Sequence, residues 1–322
     1  MEKIITGAFS VFFLTASIFI SAQDASNVKK FAFVKEKNIS KTYPASGNRL
    51  SIDNSLGNVK IITWDRDEIK VDVHMETSSD QEIVAQKTFE ALQVLDRQQK
   101  NEISFATKID NHDDNCKDCK TTMRIDYEVH LPSSVALNVA NSFGSIELPD
   151  YTGTLSVDSK FGQLTAGSLS NVKDLGVESG RATIKSMSDI NAAFKFSDIQ
   201  IENLGGTNKI KLEFCQAINI KLGNNLNSLD LQEAYSTVCI RPGNLSASYT
   251  ISTSFGSIVD RSNANIRRTD TPESNGPDSD KKYEGKSGSG SAKIDIRSSF
   301  GKIIVGEPNA GDLTEIADNS KK

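Results

Sequence analysis

One arrangement of apolar and polar positions keeps recurring along this chain. It reads apolar, any, apolar, three mostly polar or small residues, a large residue, usually Gly, any, apolar. LSVDSKFGQLTA at 155–166 is the clearest copy, and LSIDNSLGNV (50–59), LNVANSFGSI (137–146), YTISTSFGSI (249–258) and IDIRSSFGKI (294–303) follow the same grammar. Degenerate copies stand at 175–184, 190–199 and 229–238, and another near 210–220 is out of register by about one residue. Alternation at period two predicts strands, with Leu155 and Val157 turned to one side and Leu164 and Ala166 opening the next inward row.

Taking the large residue as a marker picks out Phe143, Phe161, Arg181, Phe196, Cys215, Tyr235 and Phe255, with Phe300 in the closing copy. The spacing is about 20 residues, a period of repeat architectures in which each unit relies on its neighbours to cover its apolar row. No Leu/Asn consensus of a leucine-rich repeat is present, nor the Gly/Asp nonapeptide that binds calcium. The expected fold is all-β: a right-handed parallel β-helix of about three short strands per coil. In it Phe143, Phe161, Phe196, Tyr235, Phe255 and Phe300 form a structural ladder through the interior, Gly162 takes the positive φ of a sharp corner, and Ser159 bonds to a neighbouring coil.

The flanks divide the chain further. Residues 1–22 read as a secretory signal: Lys3, an apolar run to Ile20, then Ser21-Ala22. Residues 23–49 form a leader with one short strand. Residues 50–136 hold N-terminal strands and one helix, at 79–98, opened by a Ser79/Glu82 capping box with Ile83, Phe89, Leu92 and Leu95 on its apolar face. This segment is expected to cap the open first coil of the repeats at 137–306. Residues 261–292, rich in Ser, Gly, Asp and Pro, read as a disordered loop, and 307–322 as a frayed tail.

Composition narrows the function classes. A net charge of −5 gives no reason to expect nucleic acid, and no stretch after the signal approaches a spanning helix. Three histidines (His74, His112, His130) and four cysteines leave little for metal or nucleophile chemistry. Cys116 and Cys119 are the most motif-like pair. In a loop between predicted strands they lack the helix N-terminus a redox pair uses, and with His112, Asp113 and Asp114 they lack a second ligand pair for zinc. A local disulfide or two loop thiols is the structural reading. Cys215 and Cys239, at non-equivalent repeat positions, read as packing residues, or one of them as an exposed thiol, rather than as a bridge. Asp53, Asp158, Glu178 and Glu213 recur near the corners, where β-helix lyases and glycosidases place carboxylates, but Ala140, Ala193, Gln232, Ser252 and Arg297 share their outward column, which fits a solvated face. No catalytic residue and no cofactor is expected. His74 and His130 read as exposed strand residues. Asn38-Ile-Ser and Asn244-Leu-Ser match the glycosylation sequon, a common pattern.

The run Tyr127-Glu-Val-His-Leu-Pro, followed by Asn141-Ser-Phe-Gly-Ser-Ile, resembles the bacterial putative-adhesin family of exported β-helix proteins, related to the putative auto-transporter adhesin head-domain group. The copies at 50–62 and 294–305 and the Tyr283-Glu-Gly-Lys-Ser-Gly lead-in extend the resemblance over about residues 45–306. Together with the repeat architecture and the export signal, the expectation is a non-enzymatic envelope or surface protein, adhesin-like in binding or serving as a scaffold through its β-helix faces, located in the periplasm, on the outer membrane or outside the cell. Its partners would be a surface polysaccharide or another envelope protein. A polysaccharide lyase or glycosidase on the same scaffold is the alternative.

Overall fold

The computed structural model describes residues 31–110, 118–272, 279–309 and 312. The signal-like segment and Cys116 lie outside them. The chain is all-β with one short helix. Its elements are β1 (Phe33–Pro44), β2 (Arg49–Ser55), β3 (Val59–Thr63), β4 (Glu68–Ser79), α1 (Glu82–Ala91), β5 (Leu92–Gln99), β6 (Glu102–Ile109), β7 (Thr121–Leu131), β8 (Ala136–Ser142), β9 (Ser145–Leu148), β10 (Leu155–Lys160) and β11 (Gln163–Leu169). There follow β12 (Val172–Glu178), β13 (Arg181–Ser188), β14 (Asn191–Lys195), β15 (Asp198–Glu213), β16 (Ile218–Ala234), β17 (Thr237–Arg241), β18 (Ala247–Ser254), β19 (Ser257–Asp260), β20 (Arg267–Arg268), β21 (Asp280–Ser287), β22 (Ala292–Ser299) and β23 (Lys302–Val305).

These strands join one large, mostly parallel sheet in two series. The first runs β6, β2, β8, β10, β12, β14, then the second halves of β15 and β16, then β22 and β18, all parallel. The second runs β7, β3, β9, β11, β13, the first halves of β15 and β16, β17, β23 and β19. Among the described pairings the antiparallel ones sit at the ends: β1–β4–β7 and β5–β6 at one, β18–β21–β20 at the other. Each repeat contributes two strands rather than the three expected.

The alternation does what the pattern required. Leu155, Val157, Leu164 and Ala166 are all buried, as are their register partners Leu137, Val139, Ile146, Leu148, Ala182 and Ile184. Each fully buried Val, Leu or Ile contributes roughly 1.5–3 kcal/mol, so the rows accumulate stability strand by strand.

The aromatic ladder forms, but outside. Phe143, Phe161, Phe196, Tyr235, Phe255 and Phe300 are 50–57% exposed, so none fills the interior. Each takes positive φ, between 49° and 59°, and this left-handed turn throws the ring outward. Leu56, Ser179 and Phe214 share that conformation, so Ser179 and Phe214, not Arg181 and Cys215, hold the repeat position, and the one-residue slip near 210–220 disappears. The following glycine has a different task. Gly162 is not at positive φ; a Cβ there would collide with the carbonyl oxygen of Gly144, and one at Gly144 with that of Gly57. Where Ser197, Cys215 and Ser236 replace Gly, their side chains bond across the corner. The Ser197 hydroxyl accepts from Gly180 N–H (3.2 Å) and that of Ser236 from Cys215 N–H (3.0 Å).

Other expectations are corrected locally. The leader supplies β1, a full strand paired to β4. The helix covers only Glu82–Ala91, because Leu92–Gln99 pairs with β6. Ser79 Oγ accepts from Gln81 N–H (3.2 Å) instead of capping the helix, and the buried helix positions are Val84, Ala85, Thr88 and Ala91, with Ile83 65% exposed. Within 261–292, residues 280–287 form β21 along β18.

Candidate functional surface

The inward column two places before each corner is polar at both ends and apolar between: Asn54, Asn141, Ser159, Val177, Phe194, Leu212, Glu233, Ser298, Thr253. Asn54 Nδ2 donates to Asn141 Oδ1 (3.1 Å), and Asn141 Nδ2 to Gly57 O (2.9 Å), so these amides tie successive strands as short polar corner residues should. The buried Ser159 hydroxyl itself has no partner among the described residues. Glu233 is buried, accepting from the Ser298 hydroxyl and from Ser236 N–H (3.2 Å), and burial pushes its carboxyl up to about 7.

The outward residues of the first series form three columns. Nearest the corner, Lys160, Glu178, Lys195 and Glu213 follow one another on adjacent strands, with Lys195 Nζ 2.9 Å from Glu213. In the middle column Asp53 and Asp158 are separated by Ala140, about two strand spacings or ~10 Å. Asp158 pairs with Lys160 (3.5 Å) and Asp230 with Arg297. The four sequence-picked carboxylates are thus spread over the surface, each of Glu178 and Glu213 standing beside lysine. Gly176 and Ala193 leave a depression of about 460 Å³ in this face, with Asp158 and Asp174 on one side and Lys209 and Lys211 on the other.

Beside these columns stand the rings. Phe143 and Phe161 stack at 4.9 Å and 8°. Beyond Ser179, Phe196, Phe214, Tyr235, Phe300 and Phe255 stack in that order at 4.9–5.2 Å, with planes within 7° of parallel. Tyr235 meets Phe300, not Phe255, because β22 inserts between β16 and β18.

No family model matches the chain, and no curated protein matches it. Solved structures do. The chain is similar to a putative cell adhesion protein from Clostridium sporogenes (10% identity, 85% of this chain and 100% of that one, TM-score 0.25). It is also similar to putative adhesins from Parabacteroides distasonis (10% identity, 84% and 97%, TM-score 0.33) and Bacteroides fragilis (11%, 84% and 97%, 0.32).

The remaining candidates fall into place individually. Cys119 is disulfide-bonded, while Cys215 and Cys239 are free and buried. Burial raises both thiols, that of Cys239 to about 11. The Trp64 ring has the Arg66 guanidinium 5.0 Å from its centre and the His130 imidazole ring, tilted by 36°, 5.2 Å away. His74 and His130 stand on strands β4 and β7 as expected, but both are half-buried rather than exposed, and β1 lies alongside His74. Among the described residues no helix is long and apolar enough to cross a membrane.

Proposed function

We propose that this is an exported, non-enzymatic envelope or surface protein whose regular outer faces bind a partner, a surface polysaccharide or another envelope protein. In this reading the two strand series are the walls of a right-handed parallel β-helix, and β1–β7 with α1 cap its first coil. The handedness rests on the strong right-handed preference of parallel crossover connections. The observation that carries the function is the alternation of Lys160, Glu178, Lys195 and Glu213 across adjacent strands beside the Gly176/Ala193 depression. A column of neutralised charges at strand spacing presents hydrogen-bond donors and acceptors in a repeating array, suited to an extended, hydroxyl-rich or mixed-charge partner. A catalytic carboxylate pair would instead need two acids facing one substrate bond.

A glycan array and envelope pull-down on the mature protein, with turnover of acidic polysaccharides assayed in parallel, tests this. Binding without turnover, weakened by Ala193→Lys, supports it. Cleavage of any polysaccharide overturns the non-enzymatic reading in favour of a lyase or glycosidase.

A further inference from the structure

We propose that Glu36, His74 and Glu76 form a binding site for a divalent transition-metal ion of the zinc class. The antiparallel register of β1 and β4 sets Glu36 directly opposite Glu76 and Asn38 opposite His74. Residues two apart on a strand project to the same side, so all four side chains share one outer surface. One ligand atom from each of Glu36, His74 and Glu76 lies within 4.8 Å of the other two, with His74 Nε2 3.9 Å from a Glu76 oxygen. Around an ion with bonds of about 2.0–2.2 Å, ligand atoms stand about 3–4 Å apart, so small rotations of two glutamate side chains complete the set.

The imidazole is oriented for this task. His74 Nδ1 is 2.8 Å from Asn38 Oδ1, an oxygen that can only accept, so Nδ1 carries a proton, and in the neutral imidazole Nε2, on the Glu76 side, is the nitrogen left to bind a metal. An outer partner fixing the tautomer of a ligating histidine is the usual support of a metal site. Among the described residues, Arg124, opposite Glu76 on β7, bonds Asp126 (2.6 Å), and Asp72 takes Lys70 (2.7 Å) and the Ser40 hydroxyl (2.6 Å). One imidazole with two carboxylates suits zinc, cobalt or copper, whereas calcium prefers six to eight oxygens. Three protein ligands from one side leave coordination positions facing solvent, where a donor from a partner could complete the shell.

The test is titration of the tag-free, chelator-stripped chain with Zn²⁺, and with Cu²⁺ for electron paramagnetic resonance. We expect a single Zn²⁺ equivalent that millimolar Ca²⁺ does not displace, and Cu²⁺ hyperfine structure from one imidazole nitrogen. Affinity should fall tenfold or more in His74→Gln and in the Glu36→Gln/Glu76→Gln double variant, and stay unchanged in His112→Ala. No binding, binding unaltered by His74→Gln, or binding removed by His112→Ala would each overturn the proposal; a plain His74–Glu76 ion pair gives the first of these.

Discussion

The rings of Phe214 and Tyr235 lie face to face, 4.9 Å apart and within 2° of parallel, although 21 positions separate them in the chain. Both sit in a backbone conformation that bulky side chains avoid. Each backbone N–H still donates to the next strand, Phe214 to Ala234 O (3.0 Å) and Tyr235 to Ser299 O (2.9 Å). The corner thus keeps its ladder hydrogen bond, and stacking offsets a backbone cost of about 1–2 kcal/mol per residue.

This balance separates two substitutions at one site. Phe214→Ala loses contacts with Phe196 and Tyr235 while keeping the strained φ, and should cost about 1–3 kcal/mol. Phe214→Gly loses the same contacts but relieves the φ, so it should be more stable than the alanine variant, by up to about 1 kcal/mol. Urea denaturation of the pair decides it; an alanine variant as stable as glycine means the corner is unstrained.

Ser179 is the one polar interruption between Phe161 and Phe196, which stand about two strand spacings (~10 Å) apart. A ring there would stack on both. Ser179→Phe should therefore stabilise the chain by about 1 kcal/mol, an unusual direction for a polar-to-aromatic surface change. A fall in denaturation midpoint would show that the interruption is structurally required.

How much of this was legible in the residues can be argued from the same corner. Leu155, Val157, Leu164 and Ala166 declared their inward direction because strand alternation is a local property. The side taken by Phe161 was not legible, since a large apolar residue before Gly reads naturally as core filling with Gly supplying the positive φ. The backbone reverses those roles: the aromatic takes the positive φ, and the glycine is small because the neighbouring carbonyl leaves no room. Pairing partners were also hidden. Nothing local to residues 33–44 says that they lie against β4, so the juxtaposition of Glu36 with His74 and Glu76 could not be read in advance. The helix was overextended because Leu92 and Leu95 continue a helical spacing that the pairing of β5 with β6 overrides.

Glu233 makes stability depend on pH. Its carboxyl is raised from 4.5 to about 7 by burial, so the folded chain holds this proton more tightly than the unfolded one. Stability from this group is complete below about pH 4.5 and is lost as pH rises through about 7, a difference of roughly 3 kcal/mol at most. Glu233→Gln should flatten that slope and be the more stable chain at pH 8. Parallel slopes for both chains between pH 5 and 8 would mean Glu233 is ionised in the fold.

The free thiols should be inert in the native state. Cys215 and Cys239 are buried, and burial raises both. Because the thiolate is the reactive form, neither should react with a thiol reagent within minutes at pH 8, and both should in denaturant. Fast native labelling at either position would show that its corner opens readily.

The insertion of β22 between β16 and β18 has a consequence for how the molecule is made. From β8 to β16 the strands of each series can be laid down in chain order, each on its predecessor, as the polypeptide emerges. In the first series the next strand, β18, belongs one place further out, over a gap that residues 292–299 fill. Completion of this series therefore waits for residues 292–299 to arrive, and a chain shortened before 292 leaves an uncovered parallel edge on the second half of β16. The stack grows by accretion and is finished by a keystone.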